Sequence, residues 1–272
     1  MTTRAYRVAY DGRPYHGFQR QPDVPTVEDE ILDALRALDA LNPGRDTPDG
    51  YAGAGRTDAG VSAVAQTVAF EAPDWLGPAA LNSELPADVR AWASAEAPPD
   101  FHATHDATGR EYTYFLHAPD CSRDRAHQAL DALAGKHDFH NLTPDDEGTI
   151  RTLSTAIDRD GPFLVVTFRA GGFARQMVRR AVSVVAEVAR GDADIGWVGR
   201  MLADEPLSGP EGVAPAPAYP LVLTDVTYPE LDFAVDDGAA ASAREVFEGR
   251  RVKRETAARV AGLLATTVPL EL

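Results

Sequence analysis

A glycine-rich loop presents a lone carboxylate in a setting that suits catalysis. Asp58 lies two residues after Arg56 and two residues before Gly60, in the segment Gly55-Arg56-Thr57-Asp58-Ala59-Gly60-Val61. Glycine lets a ligand or another backbone approach closely, and a nearby arginine favours the charged form of a carboxylate. Such a carboxylate can act as a nucleophile or a general base. An Asp beside a Gly is also ordinary turn chemistry, so this loop alone leaves both interpretations open.

The loop between Asp11 and Pro22 alternates cations with rings, and it contains Arg13, Tyr15, His16, Phe18 and Arg20. Guanidinium groups bind phosphates, and aromatic rings stack on unpaired bases. Phe18 and Arg20 are therefore candidate contacts to a nucleic acid. An ordinary polar surface loop would have a similar composition.

Two later segments carry further candidates for substrate binding or catalysis. The alternation over 110–116 predicts a strand with Arg110 and Tyr112 on one face, which sheet packing alone would also produce. Arg175 and Arg179 lie near the start of a predicted helix and, four residues apart, would share one of its faces. These arginines contact a substrate or form a solvated basic patch.

The apolar pattern predicts strands and helices in both halves of the chain, with Thr26 as the N-cap of the first helix. Short strands close together in sequence favour antiparallel pairing. The predicted strands cover 4–10, 66–70, 89–95, 110–116, 150–157, 163–168 and 221–228, and the predicted helices cover 27–38, 79–85, 124–133, 173–189, 239–247 and 252–264.

These elements predict an α+β protein of two similar subdomains, whose mainly antiparallel sheets join side by side with helices on one face. The first subdomain, residues 1–120, carries the Asp58 loop, and the second, residues 121–272, carries the arginine helix. The active-site cleft should therefore lie between the two subdomains.

The charge of the chain is strongly negative. Its 272 residues have a net charge of -16, and Lys136 and Lys253 are the only lysines among 26 basic residues. An acid-rich, lysine-poor surface resembles that of proteins from salt-loving organisms. Because the Debye length is only about 3 Å in 1 M salt, this net charge does not exclude a nucleic acid as the partner.

Other features of the composition limit where in the cell the protein can be and which disulfide or metal chemistry it can perform. Cys121 is the only cysteine, which excludes an internal disulfide and a thiolate zinc cluster. No apolar run is long enough to span a membrane, and the first residues lack the apolar core of a signal peptide. We therefore expect a cytoplasmic protein that does not bind membranes. The close pairs His102/His105 and His137/His140 leave zinc as a minor alternative.

Seven segments in the same order resemble the tRNA pseudouridine synthase A family, whose members isomerise uridines in the anticodon arm of tRNA. Each segment is weakly specific by itself, but together they extend over most of the chain. The segments are Tyr10-Asp11-Gly12 with His16-Gly17-Phe18-Gln19-Arg20-Gln21, Gly55 to Val61, Phe101-His102-Ala103, Arg110-Glu111-Tyr112-Thr113-Tyr114, His137-Asp138-Phe139, Gln176-Met177-Val178-Arg179-Arg180 and Asp225-Val226-Thr227-Tyr228-Pro229.

The resemblance implies a role for several residues. Asp58 matches the essential aspartate, Tyr112 matches the active-site tyrosine, and Arg179 matches the arginine that pairs with the catalytic carboxylate. Arg56 matches a residue that helps to prise the target base from its stack. The family further implies a homodimer that binds tRNA, conversion of uridine to pseudouridine at positions 38, 39 and/or 40, and no metal or cofactor.

Three positions depart from the pattern of the family. Ser62 stands where the family usually has His, Phe18 where it has Trp, and Pro220 where it has Gly before Leu221. Ser62 lies outside the catalytic trio, so its effect should fall on tRNA contacts or loop packing. Phe18 keeps an aromatic surface, and proline is tolerated at the start of a strand.

Two other functions are compatible with these residues. A catalytically silent RNA-binding protein on the same scaffold would explain the loop of arginines and rings, but not the presence of Asp58, Tyr112 and Arg179 together. A carboxylate-dependent hydrolase would need a second catalytic acid or a metal cluster. In the isomerase, Asp58 either attacks C1′ of the ribose or removes a sugar proton, and the sequence does not choose between these two steps.

Overall fold

The computed structural model describes residues 1–207 and 212–268, and a ten-stranded sheet extends through both halves of the chain. The strands are β1 (Thr2–Tyr10), β2 (Ala52–Gly53), β3 (Ser62–Ala72), β4 (Val89–Glu96), β5 (Gly109–His117), β6 (Gly135–Asp138), β7 (Ile150–Asp160), β8 (Phe163–Ala170), β9 (Leu221–Thr227) and β10 (Ala234–Val235). Their order is β10-β4-β1-β3-β9-β5-β8-β7-β6, and β2 pairs with β3. The predicted α+β class with a mainly antiparallel sheet is confirmed.

The helices that accompany the sheet are α1 (Val27–Ala37), α2 (Pro78–Glu84), α3 (Arg123–Leu133), α4 (Met177–Arg190), α5 (Gly196–Met201) and α6 (Asp237–Thr267). Thr26 caps α1 as predicted, because its hydroxyl accepts a hydrogen bond from the Asp29 backbone N–H at 3.2 Å. Val27, Ile31 and Leu35 form the buried face of this helix. Within the described residues, no helix combines the length and the apolar character that a membrane crossing requires.

The two halves of the chain meet where β9 lies between β3 and β5. β9 pairs in parallel with the start of β3, where Ser62 is opposite Val222, and it pairs antiparallel with β5. β5 belongs to the first 120 residues, yet its partners β8 and β9 come from the second half. Asp58 lies just before β3 and Tyr112 lies on β5, so this junction brings them to the same part of the sheet.

The prediction of a helix over 173–189 is wrong at its beginning. α4 begins only at Met177, because Gln176 has a left-handed backbone conformation with a φ of 58°, which cannot continue a right-handed helix. Arg175 therefore precedes the helix and does not share a helix face with Arg179. The predicted apolar stripe is confirmed, since its members are buried, namely Met177, Ala181, Val184 and Val188.

The prediction of two separate helices over 239–247 and 252–264 is also wrong, because α6 is continuous. Gly249 lies between the two predicted segments, but glycine in a helix costs only about 1 kcal/mol. Arg251 spans this position, since its guanidinium donates to Glu248 on one side and to Glu255 on the other. The short elements β2, β6, β10 and α5 are not predicted by the sequence, because so few residues show little periodicity.

Candidate active site

The Asp58 loop is held in place by the loop that follows β1. The backbone N–H of Phe18 donates to the Thr57 carbonyl oxygen at 3.0 Å. At Gly12, a Cβ atom would lie 1.9 Å from the Val61 carbonyl oxygen, so a side chain there would push the two loops apart. The close approach of these loops determines where Asp58 is presented.

Ser62, one of the departures from the family pattern, takes part in the same contact between loops. Its hydroxyl oxygen accepts a hydrogen bond from the Gly12 backbone N–H at 3.1 Å. The hydroxyl groups of Thr57 and Tyr10 lie 2.7 Å apart beneath the loop. Loop packing is therefore the observed role of Ser62.

Arg110 connects the Asp58 loop to two other loops of the site. Its buried guanidinium donates to the carbonyl oxygens of Ala54 at 2.7 and 3.1 Å, of Thr104 at 2.6 Å and of Gly171 at 2.6 Å. All three of its nitrogen atoms thus bind the protein's own backbone. This geometry favours a positioning role for Arg110 over the substrate contact that the sequence suggests.

Asp58 and Arg179 form an ion pair. Nη1 of Arg179 lies 3.0 Å from Oδ2 of Asp58, and the two side chains are 16% and 29% exposed. Nε of Arg179 also donates to the Ala216 carbonyl oxygen at 2.7 Å, which holds the guanidinium in one orientation. Among the residues that the structure describes, Oδ1 of Asp58 accepts no hydrogen bond. The arginine therefore neutralises the carboxylate on one side and leaves its other oxygen available for chemistry.

Tyr112 is buried on β5 near this ion pair. Its ring makes an edge contact with the ring of Phe173, with the ring centroids 5.3 Å apart. Burial raises the pKa of Tyr112 to about 12, and the negative charge of Asp58 contributes in the same direction. The hydroxyl group consequently keeps its proton at neutral pH and can act as a hydrogen-bond donor.

The three candidate catalytic residues line one cleft with a volume of about 1490 Å³. Residues from both halves of the chain form its walls, and Leu221 at the start of β9 contributes an apolar surface. Of the predicted substrate-binding residues, the cleft is lined by Arg56, Phe18, Arg110 and Arg175 but not by Arg20.

Arg56 and Arg175 are exposed cations on the walls of the cleft. Within the described ranges, Arg56 has no ion-pair partner. Nε of Arg175 lies 3.2 Å from Oδ1 of Asp145, and the arginine side chain is 60% exposed. An ion pair this exposed contributes at most about 1 kcal/mol, so an incoming phosphate could replace the carboxylate.

The side chains of Phe18 and Arg20 are not placed to contact a substrate. Phe18 is 3% exposed, and a Cβ atom added at Gly53 would lie 2.6 Å from its ring. Nε of Arg20 donates to Oδ1 of Asp29 on α1 at 2.7 Å. Phe18 therefore packs into the floor of the cleft with almost none of its surface exposed, and Arg20 stabilises the N-terminus of α1.

Residues that the sequence analysis does not assign to substrate binding or catalysis also line the cleft. The rings of His102 and His105 lie 4.2 Å apart, and the sequence marks them only through their close spacing and the motif Phe101-His102-Ala103. Arg151 on β7 has a buried Nε atom without a hydrogen-bond partner in the described part of the chain. No local pattern marks Arg151, because its place in the cleft depends on sheet order. In residues 1–207 and 212–268, no three His, Cys, Asp or Glu side chains converge as a metal site would require.

The chain is similar over nearly its whole length to known proteins that are called tRNA pseudouridine synthase A. One from Haloarcula marismortui is 60% identical over 95% of this chain and 97% of its own length. One from Natronomonas pharaonis is 61% identical over 96% of this chain and 98% of its own length. A more distant relative from Archaeoglobus fulgidus is 36% identical over 94% and 95%, respectively.

A sequence profile described as tRNA pseudouridine synthase matches residues 129–229. The crystal structure of the archaeal box H/ACA sRNP Nop10-Cbf5 complex is similar with a TM-score of 0.35 and 15% identity, over 68% of this chain and 44% of that chain. A similarity of this size supports no conclusion, whereas the identity and coverage of the relatives above do. The chain belongs to the tRNA pseudouridine synthase A family, as its seven motif segments predict.

Proposed function

We propose that this chain is an isomerase that converts uridine to pseudouridine in tRNA. The observation that supports this most directly is the ion pair between Asp58 and Arg179 at 3.0 Å, inside a cleft that Tyr112 also lines. The relatives that share more than half of its residues are named for the same activity.

In the proposed reaction, the N1–C1′ bond of uridine breaks, the base turns over, and C5 bonds to C1′. Positive charge develops on the sugar as the bond breaks, which an ionised carboxylate stabilises. Asp58 either attacks C1′ or removes a sugar proton while the base is detached. In both cases Arg179 holds Oδ2, and Oδ1 faces the reaction.

The remaining residues divide into substrate contacts and positioning residues. Tyr112 provides a flat surface for the detached uracil and a hydroxyl that relays the C5 proton, since its oxygen accepts that proton as its own proton passes to water. Arg56 contacts the backbone or fills the gap left by the flipped nucleotide, whose unstacking costs a few kcal/mol. Arg175 binds a phosphate after it releases Asp145. Arg110, by contrast, keeps the three loops of the site together.

The finer parts of the assignment are also proposals. We propose that the target lies in the anticodon stem-loop, at positions 38, 39 and/or 40, and that the enzyme acts as a cytoplasmic homodimer. We also retain the division into residues 1–120 and 121–272. Its support is that Asp58 and Arg179 come from different sides of that boundary and line the same cleft.

Tritium release from tRNA tests the proposed reaction. Unmodified tRNA labelled with tritium at C5 of its uridines should lose label to water when incubated with the protein in molar KCl, because C5 gives up its hydrogen when it bonds to C1′. Chemical mapping of pseudouridine in the product would then identify the modified positions.

The catalytically silent RNA-binding protein remains the second hypothesis. It predicts tRNA binding without any release of tritium, in the same buffer and with the same folded protein. That result would contradict the proposed isomerase activity. Loss of label only from uridines outside the anticodon arm would contradict only the assignment to positions 38, 39 and/or 40.

A further inference from the structure

A segment without helix or strand lies between α4 and the Asp58 loop, just before β9. It is Val213-Ala214-Pro215-Ala216-Pro217-Ala218, which we call the strap. On one side, the Ala216 carbonyl oxygen accepts a hydrogen bond from Nε of Arg179 at 2.7 Å, and the Ala216 N–H donates to the Arg179 carbonyl oxygen at 3.1 Å. On the other side, a Cβ atom added at Gly60 would lie 3.5 Å from the Cβ atom of Ala218. The strap therefore contacts both the arginine and the loop of the catalytic ion pair.

The two prolines of the strap restrict the directions of its carbonyl groups. A residue that precedes a proline is confined to extended backbone conformations, and this restriction applies to Ala214 and to Ala216. Proline itself has a fixed φ. The carbonyl groups of the two alanines therefore lose little conformational entropy when they accept hydrogen bonds from α4.

The spacing of the strap matches one turn of α4. Two residues of an extended, proline-rich chain advance about 6 Å, and four residues of an α-helix also advance about 6 Å. The Ala216 carbonyl is opposite Arg179, and the Ala214 carbonyl accepts a hydrogen bond from the Ser183 hydroxyl at 2.8 Å. Ser183 lies four residues after Arg179, on the same face of the helix. Ser183 thus fixes the register between the strap and the arginine.

Two further side chains hold the ends of the strap. Nη1 of Arg180 donates to the Val213 carbonyl oxygen at 2.6 Å, and its Nη2 lies 3.3 Å from Oε1 of Gln176. On β5, the Tyr114 hydroxyl donates to the Pro217 carbonyl oxygen at 3.1 Å. The strap is therefore held from the helix and from the sheet at the same time.

The groups that hold the strap lie behind the active site. Arg179 lines the cleft, whereas Arg180, Ser183, Tyr114 and the strap itself do not. These residues are consequently not placed to touch a substrate. Any effect that they have on catalysis passes through the position of Arg179 and of the Asp58 loop.

We propose that the strap orients Arg179 against Asp58, and that Ser183 and Tyr114 are positioning residues of the reaction. A free arginine side chain has many rotamers, and the strap selects the one in which Nη1 lies 3.0 Å from Oδ2 of Asp58. A displacement of about 1 Å in an active site lowers the rate by about 100-fold. The proposal rests on the proposed function for its rate measurements, but the orientation of Arg179 is measurable without catalysis.

Substitution of Ser183 tests the proposal. Ser183→Ala removes the donor to Ala214, and Ser183→Thr keeps a hydroxyl. Single-turnover tritium release at saturating tRNA should fall by about tenfold in the Ala variant and recover in the Thr variant, with the Kd for tRNA unchanged in both. The matched control Ser154→Ala removes an exposed hydroxyl on β7 and should keep the rate of the wild type.

A double-mutant cycle with Arg179→Lys separates positioning from a general loosening of the fold. Lysine has no Nε–H donor for Ala216, so the strap no longer has a guanidinium to orient. The rate of Arg179→Lys/Ser183→Ala should therefore equal that of Arg179→Lys within about twofold. A purely structural role of Ser183 would multiply the two losses and would overturn the proposal.

NMR relaxation of the Arg179 Nε–H group reports its orientation in the folded protein without substrate. Its order parameter should fall in Ser183→Ala and stay at the value of the wild type in Ser154→Ala. An equally rigid Arg179 in Ser183→Ala, a full rate in that variant or a weaker Kd for tRNA would each overturn the proposal. A wild type that releases no tritium would contradict the proposed reaction, whereas a mobile Arg179 in Ser183→Ala would still support the strap.

Discussion

Asp58 and Arg179 are separated by 121 positions in the sequence and by 3.0 Å in space. The arginine is not a mobile surface cation, because Ala216 accepts a hydrogen bond from its Nε atom at 2.7 Å. These two hydrogen bonds fix the orientation of the guanidinium and keep it beside the carboxylate. Charge-assisted hydrogen bonds of this kind are roughly twice as strong as neutral ones, so the pair keeps its geometry when the substrate enters.

Replacing Asp58 with Asn should abolish catalysis but not folding. Asn has nearly the same shape, but it can neither attack C1′ nor accept a sugar proton. We expect tritium release to fall by at least about 1000-fold, with little change in the melting temperature. The control is Asp33→Asn, which removes an exposed carboxylate paired with Arg36 and should leave turnover unchanged. Turnover of the Asp58 variant within about tenfold of the wild type would contradict its role.

The two parts of Tyr112, ring and hydroxyl, should be separable by substitution. Tyr112→Phe keeps the ring that contacts Phe173 at 5.3 Å, so we expect a milder loss of rate than for Tyr112→Ala. The rates are compared in single-turnover assays, together with the unfolding temperature of each variant, because the cavity in the Ala variant also destabilises the fold. A slower Phe than Ala variant would exclude the ring as a stacking surface.

At the scale of elements, the buried carboxylate of Asp11 connects β1, the loop after it and α6. Asp11→Asn removes the charge that balances Arg250 and Arg254. The carboxylate is buried, but the arginines left behind are 25–50% exposed and remain hydrated. Hydrogen bonds to charged groups are worth about 1.5–3 kcal/mol, so the free energy of unfolding in denaturant should fall by about that amount. Hydrogen exchange should increase most in α6.

The exposed pair of Arg190 and Asp192, at 2.7 Å, provides the comparison for Asp11. Asp192→Asn should change the free energy of unfolding by less than about 1 kcal/mol. Equal effects of the two variants would show that burial of Asp11 adds nothing to the anchor of α6.

β5 carries two buried tyrosines that should make the protein sensitive to alkali. Burial raises the pKa of Tyr112 and Tyr114 from the ordinary value of 10 to about 12. Above pH 10 the unfolded chain loses these protons while the folded chain keeps them, so stability should fall as the pH rises from 10 to 12. Below pH 10 both states keep the protons, and these tyrosines give stability no dependence on pH. Calorimetry across this window should show a shallower fall for Tyr114→Phe. Phe115→Leu, at an exposed position on the same strand, removes no ionisable group and should retain the slope of the wild type.

At the scale of the whole molecule, a net charge of -16 makes the folded state repel itself. Salt screens this repulsion, since the Debye length shortens from about 10 Å at 0.1 M to about 3 Å at 1 M. We therefore expect the melting temperature and the rate of tritium release to rise together as KCl is increased into the molar range. Sucrose at matched water activity is the control, because it screens no charge. Full stability and activity in dilute buffer would contradict adaptation to salt.

Many features of this fold and of its site can be predicted from short segments of the sequence. The glycines around Asp58, the Thr26 cap, the alternation on β5 and the apolar stripe of α4 are short-range patterns, and each predicts a feature that depends on neighbouring residues. Together with the seven ordered motifs they identify the fold class and the family. The polar pairs Glu248–Arg251 and Arg251–Glu255 are local as well, but the pattern is too weak to show that α6 is continuous through Gly249.

Tertiary structure decided what each candidate side chain touches. Arg179 reaches Asp58 because β9 lies between β3 and β5, whereas the guanidinium of Arg110 donates to three backbone carbonyls. Phe18 is buried in the floor of the cleft, and the left-handed backbone of Gln176 leaves Arg175 outside α4. These outcomes depend on contacts between residues tens of positions apart, and no periodicity in the chain encodes such contacts. The sequence alone therefore determined which chemistry was available, and the packing of the sheet determined which side chains are placed to perform it.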